Sequence, residues 1–137
     1  ARRERLEARL RRSGLGYAVT KLIAPAAQSQ VWEMRRAGLG LMMHVEGRAK
    51  PLPFVEDTAV APDRLPEYVA RFDEIVRSHG TTAGYYGHAS VGCLHIRPIV
   101  DTRSLEGRQQ LEAIARDVSD LVLEFSGALT GEHGDGI

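Results

Sequence analysis

Apolar residues recur at intervals of three and four positions in four segments of the chain. Side chains at this spacing share one face of an α-helix, so each segment is predicted to be helical. The first segment carries only Leu6 and Leu10 among arginines and glutamates, which is typical of a solvated helix. Ser104 is a candidate N-cap, because its hydroxyl oxygen can accept a backbone hydrogen bond from the first turn. The predicted helices span residues 2–12, 26–43, 62–80 and 104–127.

Stretches rich in β-branched and aromatic residues alternate with these helices and predict strands. Two of them are separated only by Ser90-Val91-Gly92 and are predicted to form an antiparallel hairpin. The resulting order of elements is β-α-β-β-α, and a short last strand at residues 128–130 would complete it. This order predicts a ferredoxin-like α+β fold, in which helices pack on one face of an antiparallel sheet. The predicted strands span residues 17–23, 52–60, 81–88, 93–100 and 128–130.

The chain is predicted to contain one domain with a short N-terminal appendage. Residues 1–25 would form a helix and a connecting strand, and residues 26–137 would form the domain. The sequence starts without methionine inside a charged helical pattern and stops directly after Gly134-Asp135-Gly136-Ile137. We therefore expect the domain to be truncated at both ends.

Composition and charge narrow the classes of function. With 137 residues, of which 43% are hydrophobic, the chain can bury a core. Basic and acidic residues each number 18, so the formal charge of zero gives no electrostatic signal for nucleic acid or an anionic membrane. The single cysteine, Cys93, excludes an intrachain disulfide and is compatible with a reducing compartment. Because no apolar run approaches about 20 residues and no signal sequence is present, we expect a cytoplasmic protein.

Histidines and glycines cluster in two segments that carry the candidate chemistry. The first surrounds the predicted hairpin turn and contains His88 and His95; the second, near the end of the chain, contains Glu132 and His133. Imidazoles and carboxylates bind divalent metals or transfer protons, and neighbouring glycines let the backbone approach a ligand closely. Two such segments predict one assembled pocket.

Each of these features also has a structural interpretation. Histidines that flank a hairpin turn are often ordinary surface or core residues, and the second segment alone is typical of a polar turn. Cys93 is interpreted as a small buried hydrophobic residue and not as a metal ligand. His44 and His79 are interpreted as structural, the latter at a helix C-terminus before Gly80.

Three motifs together resemble a known family. They are Val55-Glu56-Asp57-Thr58-Ala59-Val60 before a helix, Gly87-His88 followed by Gly92-Cys93-Leu94-His95-Ile96-Arg97-Pro98, and Gly131-Glu132-His133-Gly134-Asp135-Gly136. From about residue 30 onward, the chain resembles the C-terminal domain of FAD-linked oxidases. That family includes glycolate oxidase, D-lactate dehydrogenase and D-2-hydroxyglutarate dehydrogenase. The second motif is most similar to that of long members fused to iron–sulfur modules.

The resemblance implies a metal centre beside a catalytic base. His88, His95 and Glu132 match the family's metal ligands, and His133 matches its base. Two imidazoles and a carboxylate leave open positions on a divalent ion, with zinc favoured, where a 2-hydroxy acid can chelate. His133 would accept the hydroxyl proton while the Cα hydride moves to the flavin N5.

The resemblance also implies contacts to substrate and cofactor. Arg35 resembles an arginine that clamps the substrate carboxylate, although with Trp32 it fits a helix surface pair almost equally well. Gly131 and Gly134 would contact the cofactor. Most of the FAD would be bound by a separate N-terminal domain, and an iron–sulfur module of the parent protein is a further expected partner.

The chain departs from the family pattern at two positions. Many members have Asp and Asn where this chain has Val91 and Cys93. Both replacements remove polar groups near the expected flavin and metal, while the spacing between His88 and His95 is kept.

Two classes of function compete. The first is the substrate- and metal-binding domain of a flavin-dependent dehydrogenase or oxidase for D-lactate, glycolate or D-2-hydroxyglutarate. The second is a non-catalytic ferredoxin-like module that binds metal or mediates association. We favour the first, and then expect the isolated chain to be inactive, because it has no residues for the adenosine and pyrophosphate of FAD. We also expect a homodimer that covers the flavin-facing apolar surface, and membrane association only through an electron acceptor.

Overall fold

The computed structural model describes residues 2–14 and 16–134. These residues separate into two compact units, the first ending at Leu39 and the second beginning at Gly40. The domain boundary predicted after residue 25 stays a prediction. The elements are α1 (Arg2–Ser13), α2 (Pro25–Met43), β1 (Lys50–Pro51), β2 (Thr58–Ala59), α3 (Leu65–Ser78), β3 (Ala83–His88), a 3-10 helix (Ala89–Val91), β4 (Cys93–Val100) and α4 (Leu105–Glu124).

The N-terminal unit is helical and exposed. Neither α1 nor α2 has a buried residue, and both helices agree with the predicted ones. The strand predicted at residues 17–23 is wrong, because residues 16–24 contain no strand and Tyr17 and Ile23 are exposed. A strand needs a neighbour for its backbone hydrogen bonds, and none of the described strands pairs with this segment.

Among the described residues, no helix is long and apolar enough to cross a bilayer.

β4 is the central strand of the sheet in the second unit. Every residue of β3 pairs antiparallel with a residue of β4, from Ala83 opposite Pro98 to His88 opposite Cys93. The predicted hairpin is therefore confirmed. On the other side, β1 and β2 pair with opposite ends of β4. Of the strand predicted at residues 52–60, only β2 is formed, and Pro53 has no N–H to donate to the ladder.

The end of the described chain returns to the sheet beside β2. The predicted last strand is reduced to one bridge, in which Ala59 and Ala128 exchange two backbone hydrogen bonds of 2.9 Å. The spatial order is therefore Ala128, β2, β4 and β3, which is the order of a split β-α-β fold. The α+β fold predicted from the element order is confirmed.

The hydrophobic core lies between the sheet and the two helices α3 and α4. Leu94 and Ile96 of β4 both point toward the helices, because every second side chain of a strand lies on the same face of the sheet. Ser104 caps α4 as predicted, accepting a 2.9 Å hydrogen bond from the N–H of Gly107. The residues that the two helices contribute to this core are mainly Tyr68, Phe72, Val76, Ile114, Val118, Leu121 and Val122.

Candidate metal and acid–base site

One face of the central strand carries the candidate chemistry. Because side chains alternate along β4, Cys93, His95 and Arg97 project away from the helices onto a surface that we call the site face. On β3, Tyr86 lies opposite His95, and His88 lies opposite Cys93. Directly opposed residues share a face of the sheet, so both predicted histidine ligands belong to the site face.

The turn between β3 and β4 fixes the positions of His88 and His95 relative to each other. It ends at Gly92, whose φ of +75° is a left-handed conformation that favours glycine. A Cβ at this position would lie 1.8 Å from the carbonyl oxygen of Val60, so a larger residue does not fit. Val60 also donates a 3.0 Å backbone hydrogen bond to the carbonyl of Gly92, which ties the turn to the end of β2.

Asp57 brings the second motif to the site face. Its backbone carbonyl accepts a 2.6 Å hydrogen bond from Gly131, and its Oδ2 accepts bonds of 3.0 and 2.8 Å from the N–H groups of Glu132 and His133. Burial raises the pKa of the Asp57 carboxyl, but the N–H donors of His133 and Glu132 outweigh burial and the pKa lies below its usual value. Asp57 is therefore a buried anionic anchor for this segment.

Glu132 joins the two predicted histidine ligands. Its Oε1 lies 2.8 Å from Nε2 of His95 and 3.3 Å from Nε2 of His88. Zinc ligands at about 2.0–2.1 Å in tetrahedral geometry lie roughly 3.3 Å apart, so the distances of the two imidazole nitrogens from Glu132 are close to those of shared metal ligands. His95 is buried, and no described residue forms a hydrogen bond with its Nδ1, so its one polar contact is directed at Glu132.

A close cluster of donor atoms overlaps these ligands but does not include His88. Asp57, His95, Glu132 and His133 each place one donor atom within 4.8 Å of the others. Asp57 is already occupied by two N–H donors and by the thiol of Cys93, 3.6 Å from its Oδ1. Burial raises the pKa of the Cys93 thiol to about 11, so it stays protonated at neutral pH. The prediction that Cys93 is a small buried residue is confirmed.

His133 contacts a carboxylate that the sequence motifs did not assign. Its Nδ1 lies 3.2 Å from Oε1 of Glu56, its ring stacks on that of His95 at 5.0 Å, and its Nε2 lies 3.7 Å from Oε1 of Glu132. Glu56 is buried and its other oxygen lies 2.6 Å from Arg97. Two signals could have indicated this pair: an acidic residue inside an apolar stretch, and a basic residue two positions after His95 on one strand face.

Comparison with known proteins identifies the family. The family model for FAD linked oxidases, C-terminal domain, matches residues 1–137. The chain belongs to this family. It is 40% identical over 107 residues to a D-2-hydroxyglutarate dehydrogenase of Pantoea ananatis, covering 78% of this chain and 10% of that protein. Over 122 residues it is 37% identical to a D-2-hydroxyglutarate dehydrogenase of Escherichia coli, covering 89% and 12% respectively.

A more distant relative carries a different name. The glycolate oxidase subunit GlcD of Bacillus subtilis is 28% identical over 104 residues, which cover 76% of this chain and 21% of that protein. The chain thus spans about a tenth of the length of the D-2-hydroxyglutarate dehydrogenases it matches.

Three predicted contacts of this FAD-linked oxidase domain lie outside the metal ligands. Arg35 is an exposed residue of α2 in the N-terminal unit, and its substrate role stays a prediction. At Gly131 a Cβ would lie 3.0 Å from the sulfur of Cys93, which is tighter than an ordinary van der Waals contact. Gly134 has a φ of +71° and open space beside its Cα. Flavin contacts by the two glycines stay predictions.

The remaining histidines have local partners. Nδ1 of His44 lies 2.6 Å from the carbonyl oxygen of Gly40, and Nε2 of His79 lies 2.7 Å from Oδ2 of Asp117. His79 also follows the last turn of α3. Both contacts agree with the structural roles predicted for these residues.

Proposed function

We propose that this chain is the substrate- and metal-binding domain of a flavin-dependent dehydrogenase that oxidises a 2-hydroxy acid by hydride transfer to FAD. The observation that carries the proposal is the convergence of His88 and His95 on one oxygen of Glu132, with His133 beside them. Relatives at 37–40% identity are named D-2-hydroxyglutarate dehydrogenases, which favours D-2-hydroxyglutarate over D-lactate or glycolate as the substrate.

The two histidines and Glu132 would hold the divalent ion. Zinc is favoured, because two neutral imidazoles and one carboxylate are a ligand set that catalytic zinc sites use. When bound, the ion supplies Lewis-acid polarisation of the substrate hydroxyl, and FAD supplies the hydride acceptor. Glu132 is held for this task by its own backbone N–H, which donates to the buried Asp57.

His133 would act as the base. Its Nε2 lies toward Glu132, on the side of the candidate ligands, and can accept the proton of the substrate hydroxyl. Arg35 would bind the substrate carboxylate through paired hydrogen bonds. Gly131 and Gly134 would contact the flavin.

The remaining parts of the proposal concern the parent protein. We infer that a separate N-terminal domain binds most of the FAD and that an iron–sulfur module passes electrons on. We also infer that the protein is cytoplasmic and associates with a membrane only through its electron acceptor. The isolated chain would be inactive and would form a homodimer through its flavin-facing surface.

Metal binding by the purified chain tests the proposal first. We expect one zinc ion per chain by mass spectrometry, and an affinity at least about 100-fold weaker in a His88→Ala, His95→Ala double variant. His44→Ala is the matched control, because His44 is exposed and bonds only to a backbone carbonyl. Equal zinc binding by all three proteins would contradict the assignment of the ligands.

A second titration separates the dehydrogenase from a non-catalytic metal module. D-2-hydroxyglutarate added to the zinc-loaded chain should bind, and the same titration of the zinc-free chain should give a clearly weaker response. Zinc binding with no effect of any 2-hydroxy acid would favour the non-catalytic module.

A further inference from the structure

Glu56 is a buried carboxylate whose two oxygens face different partners. It is 4% exposed, and Oε2 lies 2.6 Å from a terminal nitrogen of the Arg97 guanidinium. Oε1 lies 3.2 Å from Nδ1 of His133. A carboxylate bridges a fixed cation and the imidazole of the candidate base, and this contact is separate from the candidate metal ligands.

Arg97 is itself held in place on the site face. Its side chain is 12% exposed, and its Nε donates a 3.3 Å hydrogen bond to the hydroxyl of Tyr86 on the neighbouring strand. A guanidinium can only donate hydrogen bonds and does not lose its proton. Oε2 of Glu56 and the guanidinium form an ion pair, although they are not aligned for a hydrogen bond, and this pair leaves neither buried group without a partner of opposite charge.

We propose that Glu56, fixed by Arg97, is a positioning residue that keeps the proton of neutral His133 on Nδ1 and the lone pair on Nε2. The inference rests on the proposed function in that it gives His133 the role of base. The proton is favoured on the ring nitrogen that lies nearer to a carboxylate: Nδ1 lies 3.2 Å from Oε1 of Glu56, whereas Nε2 lies 3.7 Å from Oε1 of Glu132. The other nitrogen is then an acceptor, and it is the one that lies nearer to Glu132.

The arrangement has a consequence for proton transfer. A proton leaving the substrate hydroxyl oxygen would form a bond to Nε2 of His133, and the resulting imidazolium would keep its Nδ1–H bonded to the ionised Glu56. Glu56 stabilises this charge without taking the proton itself. The ring of His95 stacks on that of His133 with an interplanar angle of 5°, which restricts rotation of the base.

The test is the tautomer of His133, read from two- and three-bond 1H–15N correlations of the 15N-labelled, metal-free chain under conditions where its imidazole is neutral. We expect the Nδ1–H form to predominate. In Glu56→Gln, Arg97 can only donate, so it should retain the carbonyl oxygen of the new amide and turn the NH2 group toward His133. The imidazole should then accept at Nδ1, because the other carboxylate near this nitrogen, Asp57, lies 3.9 Å away, beyond hydrogen-bond distance. The ratio of the two tautomers should therefore invert.

Two variants control for a merely structural effect. Glu56→Asp keeps an ionised acceptor on a side chain one methylene shorter and should preserve the Nδ1–H form. Glu124→Gln removes another arginine-paired carboxylate, that of Arg71 on the helical side, and should leave His133 unchanged. Methyl spectra of the core establish that each variant is folded.

An unchanged tautomer ratio in folded Glu56→Gln would overturn the inference, as would an Nε2–H form in the unsubstituted chain. Neither readout involves zinc, substrate or flavin. A chain that binds no zinc would count against the proposed function and leave the tautomer result intact, so the two failures are distinguishable.

Discussion

The chemistry available to the site histidines depends on buried carboxylates that contact them from a neighbouring segment. Nδ1 of the His133 ring lies 3.2 Å from Glu56, and the backbone N–H of His133 donates a hydrogen bond to Asp57. Both acidic residues come from one short stretch between β1 and β2, next to the central strand. A carboxylate in such a position orients an imidazole or a loop more firmly than solvent does, because the carboxylate itself is buried.

Asp57 gives the prediction at this scale. Asp57→Asn keeps the size of the side chain but removes the charge that two N–H groups share, so the segment carrying Glu132 should lose its fixed position. Residues that support metal ligands in this way typically change metal affinity by about 10- to 100-fold, and we expect a loss of zinc affinity in this range. Isothermal titration of the chain measures it.

Asp63→Asn is the control for this change, because Asp63 is an exposed aspartate in the turn before α3. It should bind zinc like the unsubstituted chain. If Asp57→Asn also binds zinc unchanged, Asp57 does not hold the ligand segment.

The site residues could be predicted from the sequence where a motif names them, but their supports could not. His88, His95 and Glu132 stand among glycines at recognisable spacing, and the structure brings them together. Glu56 and Arg97 lie 41 positions apart, and only the register of the sheet makes them neighbours. The sequence marks Glu56 and Arg97 as charged residues in apolar surroundings, but it does not indicate which of the 18 basic and 18 acidic residues pair with each other.

At the scale of elements, the β3–β4 hairpin is the rigid part that positions the histidines. Its strands were predicted well because apolar and polar positions alternate between two turn signals. The segment at residues 52–60 is predicted as one strand but forms only β2, because the apolar pattern takes no account of Pro53, which has no N–H to donate. The isolated segment at residues 17–23 has strand-forming composition, but its residues find no strand to pair with.

Gly92 in this hairpin gives the second prediction. Gly92→Ala places a Cβ 1.8 Å from the carbonyl oxygen of Val60 and keeps a left-handed φ of +75°, so both strain and a backbone clash oppose it. We expect the free energy of unfolding to fall by about 3 kcal/mol or more. Urea denaturation followed by far-UV circular dichroism measures the change.

Gly80→Ala separates the two causes. Gly80 has a similar φ of +71°, but no atom lies within 4 Å of its added Cβ. This variant should cost only the conformational penalty of about 1–2 kcal/mol. Equal losses in the two variants would mean that the Val60 contact is not what demands glycine at position 92.

At the scale of the whole molecule, the core and the candidate site belong to the second unit. All residues of the hydrophobic cluster lie between Phe54 and Phe125, and the site face is formed by β3, β4 and residues 56–57 and 131–133. The first unit, in contrast, has no buried residue in α1 or α2. The sequence predicts the helices of both units, but a helical pattern alone does not show which of them encloses the core.

This division predicts that residues 40–137 fold without the first 39. Because the core cluster is complete within them, their free energy of unfolding should lie within about 1 kcal/mol of that of the full chain, judged by urea denaturation monitored at the tyrosines. The full chain allows an independent measurement, since its single tryptophan, Trp32, is exposed in α2 of the first unit. Its fluorescence should change little as the core unfolds. A large loss of stability on truncation, or a Trp32 signal that follows the tyrosine transition, would instead mean that the two units unfold as one.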